Sequence, residues 1–288
     1  MPKYIDIHCH TNFSAFKDDR NEVIRRALDN DTWLINVGSQ LSTSKRAVEI
    51  ANEYEKGVYA IVGLHPIHLE ESYHDDSEIG GTGFISSAEE FDENIYKEFL
   101  KNPKVVGIGE CGLDYYHCNK DGIEKQKKVF IEQIKLANDV NKPLMLHVRN
   151  IPNNQDGNQI EKMNAYADVA DLLEKYSKVK AVSHFFAGSV EDMKRFINIG
   201  VYISFAGPIT YKPKLEISNY EEVIRQTPID MILTDTDSPY VAPIPYRGKR
   251  NEPVYVKEIV KKIAEIKNLK EEEVAKQIVF NAKHLFDI

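Results

Sequence analysis

Two histidines stand one residue apart near the start of the chain, His8 and His10 in the run DIHCH. In a strand, residues i and i+2 share a face, so both imidazoles project side by side while Cys9 points the other way. Two neutral imidazoles converging on one point suit a divalent metal. Two partly buried histidines bonded to the backbone are the plainer alternative, and the rest of the chain has to decide. His65 closes VYAIVGLH, Glu110 closes KVVGIGE, His147 lies in PLMLHV and His184 in VKAVSHF, and Asp235 and Asp237 end DMILTDTD. Each sits at or near the end of an apolar, β-rich run.

Eight such runs follow one another, beginning with YIDIHCH, TWLINVGS, VYAIVGLH and KVVGIGE and continuing with PLMLHV, VKAVSHF, GVYISFAG and DMILTDTD. Between them lie amphipathic stretches, Asn21–Leu28, Thr43–Tyr54, Ile123–Val140, Ala165–Tyr176, Val190–Ile197 and Leu215–Arg225. Val254–Ile266 and Glu272–Leu285 read as two closing helices packed outside. This alternation predicts an α/β fold, a single TIM-like (β/α)8 barrel domain over 1–288, with a doubly wound open sheet as the alternative. In a barrel all strand C-termini open onto one face, where active sites are built. Of nine histidines, five fall there together with Glu110, Asp235 and Asp237.

Four histidines and two carboxylates, with His65 to spare, suit two divalent ions sharing a carboxylate bridge. Two such ions can activate a water and hold both the attacking and the leaving oxygen of a displacement. A nitrogen and oxygen donor set without thiolate admits zinc, manganese or, less readily, magnesium. Spacing alone leaves open whether Asp235 or Asp237 binds metal, because the two share a strand face. Arg149 alternates with His147 and either points at substrate or makes an ordinary ion pair. Arg247, Lys249 and Arg250, in PYRGKRN after the last strand, either receive phosphate or form a solvated turn. Gly107 and Gly109 in GIGE relieve crowding in the barrel; the rest of a dinucleotide fingerprint is missing. His68, His74, His117 and His284 read as loop or helix-surface residues. Two long connections, Leu69–Glu90 and Asn150–Asn164, lie beside the site.

At 288 residues, with 42% hydrophobic and 28% charged residues, the chain is an ordinary globular enzyme in composition. Its net charge of −8, from 37 basic and 45 acidic residues, argues against a broad basic face for gripping nucleic acid but permits a local basic pocket. Cys9, Cys111 and Cys118 form no zinc-ribbon pattern and read as reduced, structural thiols. With no signal peptide or membrane-length apolar run, a cytoplasmic protein without a membrane partner is expected. The sequence does not fix the oligomeric state, for which a monomer is the expectation.

The motifs DIHCH, GLHP, GIGECGLDYY, PLMLHVR, SHFFAGS, YISFAG, TDSPYVAPIPYRGKRNEP and VFNAKHLF follow in this order along nearly the whole chain. Together they resemble the TatD family of metal-dependent deoxyribonucleases, within the amidohydrolase-like barrels. The resemblance implies that His8 and His10 hold one metal, completed by Glu110 and Asp237, and that Glu110 bridges to a second metal held by His147 and His184. It assigns Asp237, which precedes SP, as metal ligand and general base, and places His65 and Arg149 against substrate phosphate. Asp114 matches a supporting residue, whereas Asp235 stands where the family usually has Glu. The implied activity is hydrolysis of DNA phosphodiesters with two divalent ions (Mg, Mn or Zn), as 3′-to-5′ removal of nucleotides from single-stranded ends. The alternatives are a metal-dependent ester or amide hydrolase, such as a D-aminoacyl-tRNA deacylase, and a binding protein that keeps the fold without the chemistry.

Overall fold

The structure is a computed structural model, described here over residues 1–74, 84–86, 88–118, 120–151, 163–212 and 220–288. In chain order the elements are β1 (Tyr4–Cys9), α1 (Arg20–Asp29), β2 (Thr32–Val37), α2 (Leu41–Asn52), β3 (Val58–Val62), β4 (Ser72–His74), β5 (Phe84–Ser86) and α3 (Glu93–Leu100). They continue with β6 (Val105–Asp114), α4 (Lys120–Val140), β7 (Leu144–Arg149), α5 (Ala165–Tyr176), β8 (Ala181–Ser183) and α6 (Val190–Asn198). The last are β9 (Val201–Phe205), α7 (Tyr220–Gln226), β10 (Ile232–Thr234), α8 (Val256–Lys267) and α9 (Glu271–Phe286).

Eight parallel strands form one sheet in the order β1-β2-β3-β6-β7-β8-β9-β10, the order of the chain apart from a separate β4–β5 hairpin. Strands covered on both faces need continuous apolar runs, and every residue of β1 and of β6 is buried. Helices wrap the outside. Ile123, Phe130, Ile134 and Ala137 of α4 and Val274, Ile278, Ala282 and Leu285 of α9 are buried in the core. The seam between β10 and β1 makes the sheet a nearly closed barrel, and side chains and loop backbone hold it. Thr234 Oγ1 donates to the Ile5 carbonyl at 3.3 Å, and the Asp6 carboxylate accepts from Thr236 N at 2.9 Å and Thr236 Oγ1 at 2.5 Å. Beyond the strand ends, Asp237 N donates to the His8 carbonyl at 2.9 Å and His10 N to the Ser238 carbonyl at 2.8 Å. The predicted barrel is thus the observed one.

Details depart from expectation. β6 runs on from Glu110 to Asp114, whereas the strand was expected to end at Glu110. Its extension depends on Gly112, at φ +140°, where a Cβ would lie 2.1 Å from the His147 carbonyl oxygen. A side chain there would force β7 away from β6. The eighth strand ends at Thr234, so Asp235 and Asp237 lie past it, and Asp237 takes a left-handed φ of +51°. α3 was not anticipated, and the connection expected from Leu69 to Glu90 contains the β4–β5 hairpin. Residues 75–83 and 87 of that connection, 152–162 of the second long loop and 215–219 of the expected Leu215–Arg225 helix lie outside the described residues. Among the described residues no helix is long and apolar enough to cross a membrane.

Candidate metal centre

β1, β6, β7 and the segments following β3, β8 and β10 bring the predicted residues to one point at the top of the barrel. His8 Nε2 lies 3.1 Å from His10 Nε2, 3.4 Å from Glu110 Oε2 and 3.7 Å from Asp237 Oδ1, and His10 Nε2 lies 3.4 Å from that same Asp237 oxygen. Glu110 is the hub. Its Oε1 is 2.9 Å from His147 Nδ1, 2.9 Å from His184 Nε2 and 3.3 Å from His65 Nε2. His65 comes from the turn after β3, where its Nδ1 accepts from Ile67 N at 3.1 Å and the other nitrogen is left facing Glu110.

Tautomers follow from these bonds. The Val37 carbonyl can only accept, so His10 Nδ1, 2.9 Å away, donates to it, and in the neutral ring His10 Nε2 carries a lone pair into the cluster. His8 Nε2 then faces that lone pair and two carboxylate oxygens, and a single proton cannot serve all three. Cations fit such an acceptor-rich set. The ligand atoms of His8, His10 and Glu110 lie within 4.8 Å of one another, as do those of His8, His184 and Asp237 and of His65, Glu110 and His147.

The electrostatics point the same way. Burial, aided by His184, pushes His8 down to about 3, and burial takes His65 down to about 4, so both are neutral at pH 7 with lone pairs available. Burial alone would raise Glu110, but His65, His184, His8 and the bond from His147 outweigh it and hold the carboxyl well below its ordinary range. Asp237 is likewise lowered, against burial, by His10, His8 and His184. His147 goes the other way. Against burial, its bonds to Asp114 and Glu110 raise it to about 10.

Behind His147 stands Asp114, buried at the end of β6. Its Oδ2 is 3.0 Å from His147 Nε2, and its Oδ1 accepts from Tyr116 N at 2.9 Å and His117 N at 3.1 Å. Buried Gln126 of α4 brackets the Asp114 backbone, accepting from its N at 2.8 Å and donating to its O at 3.0 Å. A carboxylate bonded to the far nitrogen of a metal-site histidine fixes ring orientation and basicity. Asp235 is placed differently. Its Oδ2 accepts from Ser204 Oγ and, at 3.2 Å, from Phe185 N, so it braces β9 and the residue after His184 rather than joining the cluster. The expectation that Asp235 and Asp237 share one face fails because both lie beyond the strand, where alternation no longer holds.

A cleft of about 510 Å³ opens over the cluster, its lining including His10, His65, Arg149, Phe185, Asp237 and Tyr240. Arg149 is exposed at its mouth. Arg250 is committed elsewhere, with Nη1 at 2.9 Å and Nη2 at 2.5 Å from the Asp19 carboxylate, and Arg247 stacks on Tyr211 at 4.3 Å. His68, expected at the surface, is 2% exposed and lines the cleft because the turn after β3 folds inward. Phe13, whose ring stacks on His10 at 4.2 Å, was not singled out in the sequence, since no periodicity marks a contact made from a loop.

A family model described as TatD related DNase matches residues 5–287. The chain belongs to the TatD family. It is 37% identical over 286 residues to the uncharacterized metal-dependent hydrolase YabD of Bacillus subtilis (strain 168), covering 98% of each. To the uncharacterized metal-dependent hydrolase YcfH of Escherichia coli (strain K12) it is 27% identical over 290 residues, covering 99% of this chain and 96% of that one. The crystal structure of YJJV, a TatD homolog from Escherichia coli K12, superposes with a TM-score of 0.79 at 27% identity, covering 99% of this chain and 98% of that one. This TatD-family chain is therefore a metal-dependent hydrolase on a (β/α)8 barrel, as the motifs implied.

Proposed function

We propose that this hydrolase cuts DNA phosphodiesters, releasing nucleotides from the 3′ ends of single strands, with the aid of two divalent ions that Glu110 would help to hold. The observation that carries the reading is the convergence of five imidazoles and the Asp237 carboxylate around the Glu110 side chain on the floor of an open cleft. His8, His10 and Asp237 would hold one ion and His147 and His184 the other. Bound there, the ions would neutralise charge developing on the phosphoryl oxygens and lower the pKa of an attacking water. The chain's own groups supply the rest. Asp237, with 19% of its side chain exposed and its pKa lowered, presents an ionised carboxylate to the cleft and takes the water's proton. His65 and Arg149 orient the phosphate, Arg149 from the cleft mouth. Glu110 is only 5% exposed, a depth that suits a strand end better than a wide duplex. An acidic protein working on ends needs this local pocket, not a basic face.

The test is a time course on 5′-labelled single-stranded DNA with Mg²⁺, Mn²⁺ or Zn²⁺ in separate reactions, beside Glu110→Ala. A ladder shortening from the 3′ end is expected, lost by about 10⁴-fold or more in the variant, since residues acting as a unit fail together. Wild type inert with every metal sinks the nuclease reading, and turnover of an aminoacyl ester instead would favour the deacylase.

A further inference from the structure

Tyr116 is 47% exposed, unusual for a large ring one residue past the fully buried Tyr115. The guanidinium of Arg149 lies over its ring, 4.1 Å from the centroid. Among the described residues Arg149 makes no ion pair, so this stack is what holds the guanidinium plane. Arg149 is exposed and forms part of the cleft lining.

The stack is anchored to the candidate metal centre through one carboxylate. Asp114 and Arg149 are partners in the β6–β7 ladder, and Tyr115 N donates to the Arg149 carbonyl at 2.9 Å. Asp114 Oδ1 fixes the Tyr116 backbone while Oδ2 meets His147 Nε2. His147 and Arg149 are two residues apart on β7, about 6.6 Å along the strand and on the same side of it. A flat cationic plane, pre-stacked on an aromatic ring and rigidly one strand pleat from the site of bond cleavage, is the kind of surface on which unpaired bases stack.

We infer that Arg149 and Tyr116 form a stacking seat for the heterocycle of the nucleotide next to the cleaved bond, so that a base-bearing single strand is the preferred substrate class. This rests on the nuclease reading and deepens it. The guanidinium edges stay available to phosphate while the outer face takes the base.

The experiment compares two single-stranded oligonucleotides that differ only in whether the 3′-terminal residue carries a base or is abasic. Each is assayed on wild type, Tyr116→Ala, Tyr116→Phe and Arg149→Lys. Wild type is expected to prefer the base-bearing end by about ten-fold in kcat/KM, mainly through KM, the scale of one stacked base. Tyr116→Ala and Arg149→Lys bring that ratio toward one, and Tyr116→Phe keeps it. An equal ratio in wild type and Tyr116→Ala, with both cleaving DNA, overturns the seat and leaves the nuclease reading standing. Inert wild type overturns the nuclease reading, and binding then decides the seat. A 3′-terminal 2-aminopurine quenched by wild type and not by Tyr116→Ala supports it; equal fluorescence with both proteins overturns it.

Discussion

Glu110 gathers three imidazoles on one carboxylate oxygen and faces a fourth with the other. That is more positive and lone-pair capacity than a structural ion pair uses, and it identifies the residue on which the site hinges. Asp114 is the test of how the site is held. Its carboxylate ties His147 to the β6–α4 turn, so Asp114→Asn keeps the shape and removes the charge. Metal affinity is expected to fall about 10- to 100-fold, the usual cost of removing such a partner, with far-ultraviolet circular dichroism unchanged. Calorimetric titration with Mn²⁺ measures it, and unaltered affinity would remove Asp114 from the account. At this scale the sequence was informative where strand periodicity applied. His8 and His10 announce themselves by i, i+2 spacing, and His147 and Arg149 likewise. His65, Asp235 and Asp237 are placed by turns after their strands, so spacing could neither put His65 against Glu110 nor separate the two aspartates.

Among the elements, the segment after β10 carries the most consequence, because it delivers Asp237 and closes the barrel against β1. Buried Asn251 staples it. Its Nδ2 donates to the Thr236 and Tyr240 carbonyls, each at 2.7 Å, and its own N donates to the Pro239 carbonyl at 3.0 Å. Asn251→Ala takes the donor from the buried Thr236 carbonyl and the part-buried Tyr240 carbonyl and frees the loop. Unfolding in denaturant should show a loss of about 2–4 kcal/mol, from the broken bonds and the unsatisfied acceptors together. A variant within 0.5 kcal/mol of wild type, on the order of an ordinary surface change, would mean that other contacts hold the loop. The eight strands were legible because strands buried on both faces read as apolar runs. The last four residues of β6 were not, since the glycines and acids of GECGLD look like a turn. What they permit is close approach of β7, a tertiary demand with no local signature. α3 was missed because a helix of eight residues offers barely two turns of periodicity.

For the molecule as a whole, the barrel brings residues as far apart in sequence as His8 and Asp237 into one cluster at the seam where β1 and β10 meet with few backbone bonds of their own. Net charge of −8 and a cleft with an exposed Arg149 at its mouth are compatible with the proposed local engagement of an anionic substrate. The central claim is that this centre holds two divalent ions that depend on Glu110. The most direct measurement is metal content per chain by elemental analysis, after loading with Mn²⁺ or Zn²⁺ and removing free ion, for wild type and Glu110→Gln. Two ions per wild-type chain, with the variant losing at least one, is the predicted result. A single ion per chain, retained unchanged in Glu110→Gln, would contradict it.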